Sequence, residues 1–365
     1  MKIEPARIHR IVSGQDRSPL AMLLRAATAT VEPGYTLLVR LRNRSFDNRR
    51  RSAHDLGRPT ISVGNITTGG TGKTPVVRWL AEQLRARGRR PAVLMRGYRA
   101  NAAGISDEQQ LLERSLNPAS HPMQPIPVIA NPNRVAGAAT ALRAEPAVDT
   151  FILDDAFQHR QVSRQFDLVL INAADPFGGG RVLPRGLLRE PLDGLARASA
   201  FLVTRASSAS PTTLAEIKTQ LAVHNRTAPI YQCDHVQTGL TRWPGGASLR
   251  MHSLIDSPIF AFCGLGDPLS FARQLEQSGG RLVGRRWFAD HHIYSVQDLR
   301  HLQQKAANAG ALRLVTTAKD WTKIAPFAAE LNPLPLLVVD VAVEFDPGDD
   351  QRLLAQIEQR FQKSG

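Results

Sequence analysis

Short apolar runs recur along the chain with helix-length amphipathic stretches between them. Apolar runs at Thr60–Gly64, Ala92–Met95, Ile126–Ala130, Thr150–Leu153, Leu168–Ile171 and Phe201–Thr204 predict strands, and Lys73–Arg87, Glu108–Ser115 and Arg134–Arg143 carry helical spacing. Strands alternating with helices imply βαβ units and a mostly parallel sheet in an α/β fold. The rhythm breaks between His235 and His252, where Pro244-Gly245-Gly246 gives a turn signal and predicts a β-hairpin or linker. It then resumes: strands at Ile259–Cys263, Leu282–Arg286, Leu312–Thr316 and Leu336–Val341, and helices at Leu269–Gln277 and Val296–Ala307. A domain boundary is placed near Gln237. There is no internal repeat and no low-complexity tract.

One strand leads into chemistry. Ile61 to Val63 runs into Thr67-Thr68-Gly69-Gly70-Thr71-Gly72-Lys73-Thr74, and an amphipathic helix follows. That is the strand–loop–helix setting of a phosphate-binding P-loop. Glycines let backbone N–H groups turn toward phosphate oxygens, and the helix N-terminus adds its positive dipole. Lys73 is expected to reach the β- and γ-phosphates and the Thr74 hydroxyl to ligate Mg²⁺. The strict pattern has glycine where this chain has Thr67. A second strand, Thr150–Leu153, ends in Asp154-Asp155, the carboxylates such a site needs to hold Mg²⁺ beside ATP. Gln158, His159 and Arg160 follow on the adjoining loop.

Other patches are less specific. Ser106-Asp107-Glu108 stands at a helix start, where an acid serves either as a base or as a helix-dipole partner. Pro184–Pro191 is a basic, proline-bounded loop containing Arg189, suited to clamping a phosphate or simply to solvation. Asp290-His291-His292 suggests a metal ligand, a general base or an oriented His–Asp pair, with a surface loop as the ordinary alternative.

Composition adds the remaining bounds. The 365 residues are 42% hydrophobic and 21% charged, enough for about two folded domains. Two cysteines thirty residues apart, Cys233 and Cys263, exclude a disulfide scaffold and a Cys-rich zinc module. The net charge is +14, and the first 58 residues hold twelve Lys/Arg against five Asp/Glu. Such asymmetry points to nucleic acid, an anionic membrane surface or phosphorylated ligands. The apolar stretch Leu20–Leu41 is interrupted by Arg25, Glu32, Pro33 and Arg40, so it is not expected to span a bilayer. The opening MKIEPARIHR lacks a signal-peptide core. Arginines at 40, 42, 44 and 49–51 suit either a segment lying on a membrane or an ordinary surface helix.

Taken in order, GNITTGGTGKTP (Gly64–Pro75), MRGYR (Met95–Arg99), the Ser106–Glu108 triplet, LDDAFQHR (Leu153–Arg160), PRGLLREP (Pro184–Pro191), the Gly264–Pro268 turn, FADHH (Phe288–His292) and TTAKDW (Thr316–Trp321) resemble the tetraacyldisaccharide 4′-kinase family. In that family threonine at the position of Thr67 is usual. The resemblance implies a P-loop NTPase-like parallel-sheet domain joined through a β-ribbon to a smaller α/β domain. It implies transfer of the ATP γ-phosphate to the 4′-hydroxyl of a tetraacylated glucosamine disaccharide 1-phosphate, at the cytoplasmic face of a bacterial inner membrane, by a peripheral protein. The resulting division is 1–58 as a basic membrane-associating segment, 59–236 as the kinase domain and 237–365 as the smaller domain. By the same resemblance Asp107 and His291 form a catalytic pair, Asp154 and Asp155 serve Mg²⁺ with Thr74, and Gln158 and Arg189 lie beside the nucleotide held by Thr67–Thr74. Expected partners are the acylated disaccharide lipid and an anionic membrane surface, with neither nucleic acid nor an obligate protein partner. The chain departs from the family at Ser106 and Gln109, where Gly and Pro are usual, and at Ala156, where Gly is usual; an alanine there narrows the turn if the backbone needs a positive φ.

Two other classes fit less well. A P-loop GTPase or metal-chaperone ATPase calls for a guanine-reading NKxD, and this chain has only Thr317-Ala318-Lys319-Asp320. A nucleic-acid-binding module calls for aromatics interleaved with arginine, and aromatics make up 6%.

Overall fold

In the computed structural model, residues 11–12, 16–48, 50–97, 106–117, 124–265, 268–289, 292–327 and 334–363 are described. The chain divides into two compact units, one of Arg7–His235 with Val343–Gly365 and one of Val236–Ala342.

The first unit opens with α1 (Pro19–Asp47), started by the Ser18 hydroxyl accepting from the Ala21 N–H and by proline at the first helical position. Then come β1 (Thr60–Asn65), α2 (Lys73–Ala86), β2 (Pro91–Met95), α3 (Asp107–Leu116), β3 (Val128–Ala130), α4 (Arg134–Ala144), β4 (Thr150–Asp154), β5 (Phe166–Asn172), β6 (Ala200–Thr204), α5 (Pro211–His224) and β7 (Ile230–Trp243). Its strands are all parallel, in the order β7-β6-β5-β1-β4-β2-β3. Chain order reverses on either side of β1, and the crevice at the carboxyl ends of such strands is where open α/β sheets take ligands.

Alternation along each strand feeds the two faces of that sheet. Leu168 and Leu170 of β5 join Ile61, Val63, Val76, Val77, Leu80 and Leu84 on one side, while Val169 and Ile171 join Phe157, Phe201, Ile217 and Leu221 on the other. Each fully buried leucine here contributes about 2 kcal/mol. Gly64 is required: a Cβ there would lie 2.7 Å from Phe157 Cβ and N, so the loop after β4 can close onto β1 only over a bare backbone.

The second unit holds β8 (Ala247–Leu249), β9 (Pro258–Cys263), α6 (Pro268–Gln277), β10 (Arg281–Trp287), α7 (Val296–Asn308), β11 (Arg313–Thr317), α8 (Ala318–Ile324) and β12 (Leu336–Phe345), with β10-β9-β11-β12 parallel. The end of β7 pairs antiparallel with β8 around the Pro244–Gly246 turn. The unit boundaries fall inside β7 and β12, so both strands run through the two units.

The C-terminal portion departs from the expected 237–365 domain. Residues 343–365 belong to the first unit, where α9 (Asp349–Gln362) buries Leu353, Leu354, Ile357 and Phe361 among the α2 side chains, and Phe345 packs on Trp79. The expected 1–58 segment also belongs there from Arg7 onward.

Candidate active site

Strand register brings the two motifs together. Val63 of β1 pairs with Asp154 of β4, so the glycine-rich loop and Asp154-Asp155 leave adjacent strands at the same end. The loop closes at Gly72, whose φ of 77° starts α2. Glycine is obligatory there, because a Cβ would fall 2.1 Å from the His235 ring, whose Nε2 sits 3.3 Å from the Gly72 carbonyl oxygen. Burial pushes that imidazole below its ordinary pKa. At the loop's start, the Thr67 carbonyl accepts from Asn65 Nδ2 at 2.8 Å and Thr68 N–H donates to the Leu187 carbonyl at 2.7 Å. The Pro184–Pro191 segment is therefore a strap along the loop as well as a basic patch.

Charges converge where the loop meets β4. Lys73 Nζ lies 3.1 Å from Asn65 Oδ1 and 3.4 Å from Asp155 Oδ1, and Arg189 Nη1 donates to the same Asp155 oxygen at 2.7 Å. Burial opposes ionisation of Asp155, but Lys73 and Arg189 outweigh it and hold the carboxyl below its usual range. Asp154 is the opposite case. It is 7% exposed, its Oδ1 has no hydrogen-bond partner among the described residues, and burial, against the pull of Lys73, pushes its pKa up to about 7. A buried carboxylate oxygen left unpaired costs free energy unless something binds it. Thr74 stands in the first turn of α2, and a hydroxyl with the Asp154 and Asp155 carboxylates is a set of oxygen donors of the kind that could hold a hard divalent cation such as Mg²⁺.

The turn after β4 answers the question raised by Ala156. The left-handed residue is Asp155, with φ 51°, and Ala156 has no positive φ; it is buried in the core with Phe151 and Leu153. Aspartate tolerates that conformation better than most residues. Gln158 spans from the Asn65 carbonyl to Glu190 Oε1, 3.0 Å from each, and its Oε1 lies 3.5 Å from Arg189 Nη1. Burial and nearby Arg134, Arg164 and Arg96 lower the His159 pKa to about 4.

The expected Asp107–His291 pair is placed only in part. Asp107 is the first residue of α3, where the Ser106 hydroxyl caps the helix by accepting from Gln109 N–H at 3.2 Å; His291 lies outside the described residues. Its neighbour His292 stacks on Phe288 at 4.5 Å and meets Asp298 Oδ2 at 3.3 Å. Asp320 of the TTAKDW motif is structural: it accepts from Gly264 N–H, Tyr294 OH and the Thr317 hydroxyl at 3.0, 2.9 and 2.6 Å.

Asn65, His235, Arg134 and Glu190 escaped sequence reasoning. Arg134 is 2% exposed and donates to the Asp154 carbonyl at 3.3 Å; Glu190 is fully buried. Asn65 and Glu190 lie inside the GNITTGGTGKTP and PRGLLREP motifs, which gave them no role of their own, and Arg134 and His235 carried no local signal.

Comparison with known proteins shows the family. Residues 24–362 match the family model described as tetraacyldisaccharide-1-P 4′-kinase. Tetraacyldisaccharide 4′-kinases of Halothermothrix orenii and Syntrophus aciditrophicus are each 36% identical, over 88% and 90% of this chain and 88% and 91% of theirs. A crystal structure of the Aquifex aeolicus protein LpxK in complex with ATP superposes with a TM-score of 0.71 at 24% identity, covering 93% of this chain and 99% of that one. The chain belongs to the tetraacyldisaccharide-1-P 4′-kinase family.

Proposed function

We propose that this chain transfers the γ-phosphate of ATP to the 4′-hydroxyl of a tetraacylated glucosamine disaccharide 1-phosphate, giving lipid IV-A in lipid A biosynthesis. The carrying observation is the unpaired Asp154 Oδ1 beside the Lys73–Asp155 pair at the start of α2. Backbone N–H groups from Thr67 to Thr74 cradle the phosphates, and the α2 dipole favours their charge. Lys73, now held by Asp155 and Asn65, is positioned to neutralise charge on the transferring group. Arg189 and Gln158 keep Asp155 in place and adjoin the nucleotide. Thr74, Asp154 and Asp155 would hold Mg²⁺, which when bound neutralises phosphate charge. Asp107, paired with His291, serves as the base for the sugar hydroxyl.

The same reading makes the protein peripheral to the cytoplasmic face of the inner membrane. None of the described helices is long and apolar enough to cross a membrane. Helix α1 instead exposes Leu20, Leu23, Val31, Leu37, Leu38 and Leu41, which fall on one side at helical spacing, with arginines at 40 and 44 nearby. That face suits lipid tails and the arginines suit anionic headgroups. No nucleic-acid partner is required to account for the charge.

The test is incubation with radiolabelled ATP and the disaccharide lipid. Label should enter the lipid with wild-type protein and not with Lys73→Ala; equal incorporation by both would refute the site.

A further inference from the structure

The exposed leucines of α1 occupy one side of the helix; the opposite side carries Glu32, Tyr35 and the buried Asn43, and it is bonded to the loops that build the phosphate site. Tyr35 OH donates to the Arg189 carbonyl at 3.1 Å. Glu32 accepts from Val182 N–H and from Arg185, both at 3.2 Å. Arg160, from the loop after β4, donates to the Asn43 carbonyl at 2.9 Å and to Asp47 at 2.7 Å.

The deepest link is a buried carboxylate. Glu190 has no solvent exposure and receives Asn43 Nδ2 at 2.8 Å, Arg197 Nη2 at 2.8 and 2.9 Å, and Gln158 Nε2 at 3.0 Å. Its surroundings leave no slack, since a Cβ on Gly194 would stand 2.7 Å from Glu190 Oε2. Gln158 accepts in turn from Arg189, which holds Asp155, which holds Lys73. An unbroken polar chain thus runs from Asn43 of the helix through Glu190, Gln158 and Arg189 to Asp155.

We infer that Glu190 is a positioning residue that ties α1, through Asn43, to the Asp155–Lys73 pair, so that the helix is part of the framework of the phosphate site as well as a membrane tether. The inference rests on the kinase reading above. It follows from what each group would do alone: a buried carboxylate stripped of a donor keeps its desolvation cost, and the network relaxes toward whatever donors remain. Asn43 is remote from the phosphates by sequence and chemistry, yet removing its amide loosens Gln158 and with it Asp155.

The test uses the full-length protein with detergent-dispersed disaccharide lipid, and compares Asn43→Ala, Asn43→Asp, Glu190→Gln and the double variant Asn43→Asp/Glu190→Gln. Asn43→Ala should lower kcat about tenfold, the loss of one hydrogen bond to a buried charge, and raise the Mg²⁺ concentration needed for half-maximal rate. Its sedimentation with anionic vesicles should match wild type, because the outer face is untouched. Asn43→Asp sets two carboxylates against each other and should be worse; adding Glu190→Gln restores a donor facing an acceptor and should recover most of the loss. Wild-type kcat and Mg²⁺ requirement in Asn43→Ala would overturn the inference, as would a lowered Tm with unchanged kcat per folded molecule. Where Asn43→Asp does not fold, Asn43→Ala decides alone. Absence of any transfer by the wild type would refute the kinase reading instead, and the stabilisation of Asn43→Ala by a Mg²⁺–ATP analogue, expected to be smaller than in wild type, would still decide the positioning role.

Discussion

Asp154, the last residue of β4, and Asp320, in the first turn of α8 just past β11, are both buried acids, one in each unit, and they use their burial in opposite ways. Asp320 has its oxygens filled by a backbone N–H, a tyrosine and a threonine, and so locks the Gly264 turn to the start of α8. Asp154 keeps Oδ1 unpartnered among the described residues and its pKa is pushed up by burial. A satisfied buried acid stabilises the fold that surrounds it; an unsatisfied one is held in a costly state by the rest of the fold and is ready for a ligand. The contrast separates an acid whose partners the fold supplies from one whose Oδ1 is left open among the described residues.

The largest effect should come from breaking the functional side. Asp154→Asn should cut phosphoryl transfer by about a hundredfold or more, in the range of other lost electrostatic contacts to transferring groups, while thermal unfolding shows equal or higher stability. A Tm lowered by several degrees would place Asp154 with Asp320. Next comes the structural side: Asp320→Ala strands three donors and should cost about 2–4 kcal/mol by urea unfolding. An unchanged midpoint would remove the distinction.

Gly72→Ala sharpens the comparison on backbone grounds. The positive φ and the His235 ring both oppose a methyl group, so a loss of about 1–2 kcal/mol is expected, with ATP affinity falling alongside; a neutral result by calorimetry would mean that the loop is less constrained than its geometry implies. The smallest effect concerns pH. His159 has a folded-state pKa of about 4 against an ordinary 6.5, so the unfolded chain binds more protons between these values. Its contribution is present above 6.5 and is lost as pH falls toward 4. His159→Gln should therefore flatten the fall of Tm across that window, and an identical pH profile would show that the ring stays protonatable in the fold.

Local features were legible from the sequence. The apolar runs became strands, and Gly69–Thr74 announced its loop because glycine spacing and the following helix are neighbours along the chain. Long-range pairings were not. Asn43 meets Glu190 across 147 positions, and nothing in either neighbourhood marks the other. The return of 343–365 to the first unit depends on Phe345 finding Trp79 and on α9 covering the α2 side of the sheet. No helix was expected beyond Val341, and only the fold shows that α9 forms and which surface its apolar face covers. The concern over Ala156 was misplaced by one residue, since the left-handed turn falls on Asp155.

The most direct test of the open-acid account is the thermal shift produced by Mg²⁺ with a non-hydrolysable ATP analogue, measured on wild type, Asp154→Asn and Asp320→Asn. Ligand binding to the folded state alone raises Tm. The account predicts a clear rise in wild type, most of it lost in Asp154→Asn, and a rise of normal size from a lower starting point in Asp320→Asn. An Asp154→Asn protein stabilised as much as wild type would contradict it.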